Sequence, residues 1–478
     1  MERELRVFID VNGQPVFVGR LWSRHRSARE SCTFAYDSNW LANGFALSPA
    51  LPLGRGPQNT PHGLFGVFSD AAPDSWGQHL MHIDERANAR VENRTARNLF
   101  SVDYLAGVSD ETRMGALRFK NPDEEQFLTT RGKPVPPVIN IAALMNASIK
   151  LDRGKTKDAD IKLVLDPGSA VGGARPKAVV RAADGRLMIA KFEKKTDTWP
   201  LIRWEAATLH LAKAAGLSIP EFRLVTISRK AVLMTVRFDR IGTGRVPFMS
   251  AMSAIGAHDH EPDRSYLEIA DVIRQESDEP TEDLRELWQR VVFNILVSNT
   301  DDHLRNHAFL WRGRGWRLSP AYDMNPTPID VRPRIHQLAI NDDNPHASLE
   351  TAFAVAPRYG LTLAAAREMA AEVGAAVASW RKAAAELKII KDQIDRMSSA
   401  FDHADLKLAL ANRSAKAVPA SERGAANGPA SQPRKEPRGA GRKLATKAAP
   451  PPASSPPNST AKKKKKRAVT RRSSHRRS

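Results

Sequence analysis

The apolar run Val291-Val292-Phe293-Asn294-Ile295-Leu296-Val297 is followed almost at once by Asn299-Thr300-Asp301-Asp302-His303-Leu304-Arg305-Asn306. A segment that apolar has to be buried. Whatever fold the chain adopts must therefore bring two carboxylates, an imidazole and amides straight out of its core. Asp and Asn also form ordinary turns, because they cap helices and bond their own backbone. The octet alone leaves both readings open, a turn or a chemical site, and the rest of the chain has to decide between them.

A chain of 478 residues predicts two or three domains, and 41% apolar residues are enough for a substantial core. It has no uninterrupted apolar stretch of about 18 residues. The start, Met1-Glu2-Arg3-Glu4-Leu5-Arg6, lacks the apolar segment of a signal peptide. Both features predict a protein that contacts no membrane and is not exported. Cys32 is the only cysteine, which excludes an intramolecular disulfide and a thiolate metal cluster and fits a reducing cytoplasm. With no His beside it in sequence, Cys32 is expected to pack rather than react.

The formal charge of +20 invites a nucleic-acid reading until it is located. From Arg413 to Ser478 there are 19 Lys or Arg against Glu422 and Glu436, a net of +17, which leaves residues 1–412 at +3. That last segment is rich in Ala, Pro, Ser and Gly and contains Lys462-Lys463-Lys464-Lys465-Lys466-Arg467. Its composition predicts a disordered tail over 413–478 that contacts DNA or RNA nonspecifically, in a salt-sensitive way, and could bring the protein to the nucleoid.

The body opens with Leu5–Val11, Asn12-Gly13 and Pro15–Leu21, which read as a hairpin. Tyr36–Leu53 and Phe65–Trp76 show no helical periodicity, so residues 1–135 are expected to form a small mixed module. Lys133-Pro134-Val135-Pro136-Pro137 would close it as a linker. Residues 136–245 carry strand signals at 178–181, 187–192 and 231–236, with one helix from Trp204 to Ala215 that ends at Gly216. Residues 246–412 are mainly helical, with stretches at 284–297, 361–387 and 389–410. The fold class predicted is α+β, a bilobal protein-kinase-like fold with a small β-rich N-terminal lobe and a mainly α-helical C-terminal lobe.

Such an architecture suits a nucleotide kinase, which needs a backbone-rich phosphate loop, a lysine on a strand and metal ligands on the helical side. The spacing from Asp301 to Asn306 is that of a D-x-x-x-x-N catalytic loop, in which the Asp accepts the substrate proton and the Asn holds a metal ion. Gly168-Ser169-Ala170-Val171-Gly172-Gly173-Ala174-Arg175-Pro176-Lys177 is small, Gly-rich and directly before a strand, so it could approach phosphates or be a plain turn. Lys191 sits inside an apolar strand, where ATP phosphates and Glu205 would partner its ammonium. Asp323 follows a short strand, beyond a hairpin expected over Phe309–Leu318, and is the second candidate metal ligand. His303 and His307 lie four apart without the Glu of an H-E-x-x-H zinc site.

Taken in order, Gly172–Lys177, Ala190-Lys191-Phe192, Arg237-Phe238-Asp239-Arg240, Asn299–His307 and Leu318–Asp323 resemble the HipA-like serine/threonine kinases, the toxin halves of bacterial toxin–antitoxin pairs. Trp40–Pro49 and Arg113–Phe119 extend the resemblance over the front module, so that it runs to about residue 410. It implies an ATP- and Mg2+-dependent protein kinase with Asp301 as catalytic base, Asp302 being the competing choice, and with Mg2+ on Asn306 and Asp323. Lys191 would contact ATP phosphates, Gly168, Ser169, Ala170, Val171, Gly172 and Gly173 would form the phosphate loop, and Val236 to Phe238 the adenine hinge. His303 is placed with the nucleotide-binding residues. The resemblance further implies a translation component as protein substrate, such as an aminoacyl-tRNA synthetase, and a helix-turn-helix antitoxin as partner. Gly172 stands where some members carry an autophosphorylated serine; Ser169 is the candidate replacement. Two other readings stay open: a DNA-associated binding protein with a degenerate kinase site, and a small-molecule kinase.

Overall fold

A computed structural model of the chain describes residues 2–26, 29–60, 63–128, 135–153, 157–168, 170, 172–258 and 261–414. Ser169, Val171, the first part of the proline-bearing linker and the basic segment from residue 415 onward lie outside the described residues.

Burial with a period of two builds the front sheet. In β1 (Glu2–Val11), Leu5, Val7 and Ile9 are buried while the residues between them are partly exposed. Asn12 and Gly13 both take positive φ (53° and 82°), the turn expected of Asn-Gly, and lead into β2 (Gln14–Arg26). With β3 (Arg29–Tyr36), β4 (Gln58–Thr60) and β5 (Leu117–Lys120) they form an antiparallel sheet in the order β4-β3-β2-β1-β5. Cys32 lies in this module's core, and burial pushes its thiol up to about 12, so it packs as expected.

Short helices α1 (Ser38–Asn43), α2 (Gly66–Ser69) and α4 (Ser101–Ala106) share that core through Trp40, Phe68 and Leu105. At four to six residues they are too brief to display a 3.6-residue period, which is why the sequence showed none. The long α3 (Ser75–Val91) was hidden for another reason: its buried face includes Gly77, Ala89 and Glu85, the last held by Arg94.

The middle segment has three helices where one was expected. After α5 (Ile141–Asp152) and α6 (Asp158–Gly168) come β6 (Lys177–Arg181), β7 (Leu187–Phe192), α7 (Leu201–Ala214), β8 (Phe222–Ile227) and β9 (Lys230–Val236). The strands pair antiparallel in the order β6-β7-β9-β8. Leu144 and Met145 of α5 pack on Ala178, Ala190 and Met234, whereas α7 shares a second cluster with Ala231 and Leu233, so both faces of the sheet are covered. The turn between β8 and β9 uses Ser228 and Arg229 at positive φ, without the Asn-Gly signature that reveals such turns in sequence.

The turn that follows β9 is locked into the front module. Asp239, 1% exposed, accepts from Arg237 Nη2 (2.6 Å), Arg240 Nη1 (2.7 Å) and the Gly115 N–H (2.7 Å), while Arg237 Nη2 also donates to the Arg113 carbonyl (2.9 Å). Burial alone would raise the Asp239 carboxyl, but the two guanidinia hold it well below the usual carboxylate range. Asp239→Ala, which strands both arginines, should cost about 3 kcal/mol of stability. Urea denaturation followed by tryptophan fluorescence would measure it.

The larger lobe begins with β10 (Arg240–Ile241), β11 (Gly244–Arg245), β12 (Phe248–Ser250), α8 (Ala251–Ile255) and α9 (Tyr266–Glu276). Its centre is α10 (Pro280–Val297), whose residues from Val291 to Val297 are all buried, with Val291 and Phe293 among those wholly inaccessible. β13 (Ala308–Trp311) and β14 (Trp316–Leu318) form the expected hairpin. The helices α11 (Leu349–Val355), α12 (Leu363–Val377), α13 (Trp380–Glu386), α14 (Lys391–Phe401) and α15 (Ala404–Ser414) complete the core around α10. The stretch expected to run from 361 to 387 is two helices, broken at Ala378-Ser379. Among the described residues no helix is long and apolar enough to cross a membrane.

Candidate active site

Ser298 is what lets the apolar run open directly onto polar residues. It takes left-handed backbone (φ 52°) and ends α10 in a single step, its Oγ donating to the Ala400 carbonyl (2.7 Å). The Asn299 N–H then bonds the Asn294 carbonyl (2.9 Å).

The two carboxylates that follow have opposite surroundings. Asp302 is buried and accepts from Tyr266 Oη (2.7 Å), Asn294 Nδ2 (2.8 Å) and His307 Nε2 (2.8 Å). Burial would raise its carboxyl, but His307 and Tyr266 outweigh it and hold it low. The Asp301 side chain is 64% exposed and meets Arg332 Nη1 at 3.1 Å and Gln337 Nε2 at 3.3 Å. Of the pair, only Asp301 faces outward, and Asp302 is committed to bracing the loop from beneath. Asn306 is buried beside a cavity of about 420 Å3 and donates to the Asp301 carbonyl (3.3 Å).

Asp323 comes to the same cavity from beyond β14 with φ 58°, a left-handed conformation uncommon outside glycine, asparagine and aspartate. Lys191, buried on β7, donates to Asp323 Oδ1 (2.7 Å) and to Glu205 of α7. Burial lowers an ammonium, but Asp323 and Glu205 outweigh it and hold Lys191 above its usual range. Burial pushes Glu205 up; it would do the same to Asp323, which Lys191 and Lys177 instead hold well below the carboxylate range. Asp323 is thus the more acidic carboxylate of the pair.

Lys177 faces Lys191 across the β6–β7 register and donates to the Gly172 carbonyl. Burial, with Lys191, pushes its ammonium down to about 8. An unfolded lysine titrates near about 10.4, so the unfolded state binds more protons than the folded state between those values, and stability rises with pH there. The melting temperature of the wild type relative to Lys177→Met should therefore climb between pH 7 and pH 9.5, as differential scanning fluorimetry would show.

The Gly-rich stretch divides. Gly168 closes α6 and packs against α3, where a Cβ would meet Leu80 Cδ1 at 2.8 Å, so it is a helix end rather than part of a phosphate loop. Ala170, Gly172 and Gly173 line the cavity, as do Val236, Phe238 and His303. The Phe238 ring lies 5.6 Å from Tyr322 between centroids, and His303 Nδ1 is buried with no partner among the described residues. His307 is turned away to Asp302, so the two histidines do not converge.

A cavity of this size suits a small ligand. Its lining combines Ile189, Leu209 and Met114 with the ammonium groups of Lys177 and Lys191, the carboxylate of Asp323, the amide of Asn306 and an orphaned imidazole nitrogen. Those residues fit a nucleotide carrying a divalent cation, since Mg2+ is ordinarily held by one or two carboxylates and the phosphates rather than by an all-protein cage. Sequence reasoning placed Lys177 at the end of the Gly-rich stretch and missed Asp70, Asp74 and Tyr322 as cavity residues. Asp74 caps a helix that shows no period in the sequence, and its second contact lies 99 residues along the chain.

The chain matches the HipA N-terminal domain over residues 9–120 and the HipA-like C-terminal domain over residues 169–380. A putative kinase of Haemophilus influenzae is 30% identical over 135 residues, covering 25% of this chain and 39% of its own length. The putative kinase Y4dM of Sinorhizobium fredii is 31% identical over 138 residues, 26% of this chain and 33% of its own. The chain thus spans between a third and two-fifths of the length of these two curated relatives. The serine/threonine-protein kinase toxin HipA of Shewanella oneidensis is 24% identical over 351 residues, 65% of this chain and 74% of its own. A solved complex of Shewanella oneidensis HipA with HipB and operator DNA matches with TM-score 0.59 at 17% identity over 85% of this chain and 96% of that one, a likeness of fold.

Proposed function

Since the chain belongs to the HipA-like family, we propose that it is an ATP- and Mg2+-dependent serine/threonine protein kinase. The observation that carries the proposal is Lys191, buried between Glu205 and Asp323 at the wall of a cavity that Asn306 also lines. A lysine paired to a helix glutamate and to a metal-binding aspartate is the arrangement that phosphoryl transfer to an acceptor hydroxyl requires. Lys191 and the backbone of Gly172 would hold the phosphates, Val236 to Phe238 and Ile189 the base, and His303 a further nucleotide atom. Asn306 and Asp323 would hold Mg2+. Bound ATP with its metal supplies a transferable phosphoryl group whose charge is already partly neutralised.

Asp301 is the residue that receives the acceptor's proton, and Asp302 keeps its backbone in place. Because no covalent enzyme intermediate is called for, the protein contributes positioning and charge. The substrate proposed is a translation component such as an aminoacyl-tRNA synthetase, and the partner a helix-turn-helix antitoxin, by analogy with the Shewanella complex of HipA, HipB and operator DNA. The 19 cations after residue 412 would add nonspecific nucleic-acid contact. Incubation with γ-labelled ATP and Mg2+ against separate panels of proteins, sugars and lipids tests the acceptor class. Label confined to the sugars or lipids would assign a small-molecule kinase instead.

A further inference from the structure

Residues 70–76 of the front module reach both lobes of the cleft. Asp70 accepts from the Ser250 N–H and Oγ, each at 2.7 Å, and lies 4.0 Å from Arg305 of the catalytic octet. Four residues on, Asp74 caps α3 by accepting from the Ser75 N–H through Oδ1 (2.7 Å), and through Oδ2 it accepts from the Gly173 N–H (2.7 Å). Trp76, in the first turn of α3, donates its N–H to the Gly173 carbonyl and its Nε1 to the Lys177 carbonyl, both at 3.2 Å. Both backbone polar groups of Gly173 are therefore bonded to the start of α3, at a residue whose φ of 94° other side chains rarely tolerate. Asp74, Gly172 and Gly173 all line the nucleotide cavity.

We propose that Asp74 is a positioning residue for nucleotide binding: through its carboxylate the front module holds the Gly-rich loop in the shape that receives the ATP phosphates. The proposal rests on the kinase reading above. A free glycine-rich loop samples many backbone states, and fixing one of them before the ligand arrives removes an ordering cost from binding. The carboxylate fixes the loop through two directed acceptors, one on each side of the module boundary, so the nucleotide site has a wall contributed from outside the two lobes. Anything that shifts α3 then changes ATP affinity without touching the catalytic octet.

Capping and loop-holding can be separated by substitution. Asp74→Ser keeps an oxygen able to cap α3 but too short to reach Gly173, whereas Asp74→Asn keeps one acceptor oxygen of the two and can serve only one of the N–H groups. A fluorescent ATP analogue titrated with Mg2+ into the full chain should bind the Ser variant about tenfold more weakly than wild type. KM for ATP should rise in parallel, kcat should move less, and the Asn variant, with one acceptor left, should bind no more tightly than wild type. Trp76→Phe, which loses only the Nε1 bond, should weaken binding in the same direction and carries the test if the Ser variant melts. Wild-type affinity in the Ser variant, or in Trp76→Phe where that variant stands in for it, would overturn the proposal. So would an Asn variant that binds ATP more tightly than wild type, because the carboxylate would then repel the phosphates rather than hold the loop. Absence of nucleotide binding by the wild type itself would overturn the kinase reading and this proposal with it.

Discussion

Asp301→Asn should lower the rate of phosphoryl transfer by about a thousandfold, the scale on which a positioned general base acts, while leaving the fold and the affinity for ATP in place. Asp301 is not among the residues lining the nucleotide cavity, and its exposed pair with Arg332 joins two solvent-accessible side chains. Such a pair contributes at most about 1 kcal/mol, so the thermal transition should barely move. Asp302→Ala should behave in the opposite way, destabilising the chain because Tyr266, Asn294 and His307 all lose an acceptor inside the core. Stopped-time transfer assays and thermal melts on the two variants check the contrast.

Lys191→Met should cost more in stability than any surface change and should also reduce transfer to background. It leaves Glu205 buried, and Asp323 beside it, with no ammonium between them. Breaking a buried pair from one side costs about 3–5 kcal/mol. In the wild type, Asp323 is depressed, so its contribution is present above the ordinary carboxylate range and is lost only as pH falls through its lower folded value. Lys191 is raised, so its contribution is present below the ordinary lysine range and fades as pH rises through its higher folded value. Without Lys191 the two carboxyls take up protons more readily in the folded state, and the deficit should be smaller at pH 5 than at pH 7.5. Adding Glu205→Gln to Lys191→Met should recover much of the stability and none of the activity. Calorimetry over that pH range, beside the transfer assay, separates the two roles of the lysine.

What the sequence disclosed depended on how local the physics was. Asn12-Gly13, the alternation in β1 and the apolar strands around Lys191 are set within a few residues, and each appears in the structure where expected. The octet could be found because a buried run cannot be followed by charge without a reason. The reason itself, left-handed Ser298, has no sequence signature, since serine seldom adopts that backbone. The helices α3, α5 and α6 were missed because they bury small or paired polar residues, or lie beside strand-like runs, so their periodicity is weak. Gly168 was assigned to the loop for the same reason: α6 continues to it through Pro167. Asp301 and Asp302 are adjacent and chemically identical in sequence, and only the tertiary partners of Asp302 show which of them is enclosed. Asp74 was illegible both as the cap of the missed α3 and as a holder of Gly173, a contact made 99 residues away.

The central claim is that Asp301 serves the transfer of a phosphoryl group from ATP to protein hydroxyls. The most direct measurement incubates purified wild type and Asp301→Asn with γ-labelled ATP, Mg2+ and a protein extract, then maps the labelled residues by mass spectrometry. Label should fall on serine or threonine with the wild type and none above blank should appear with the variant. Equal labelling by both proteins, or none by a wild type that binds ATP, would contradict it.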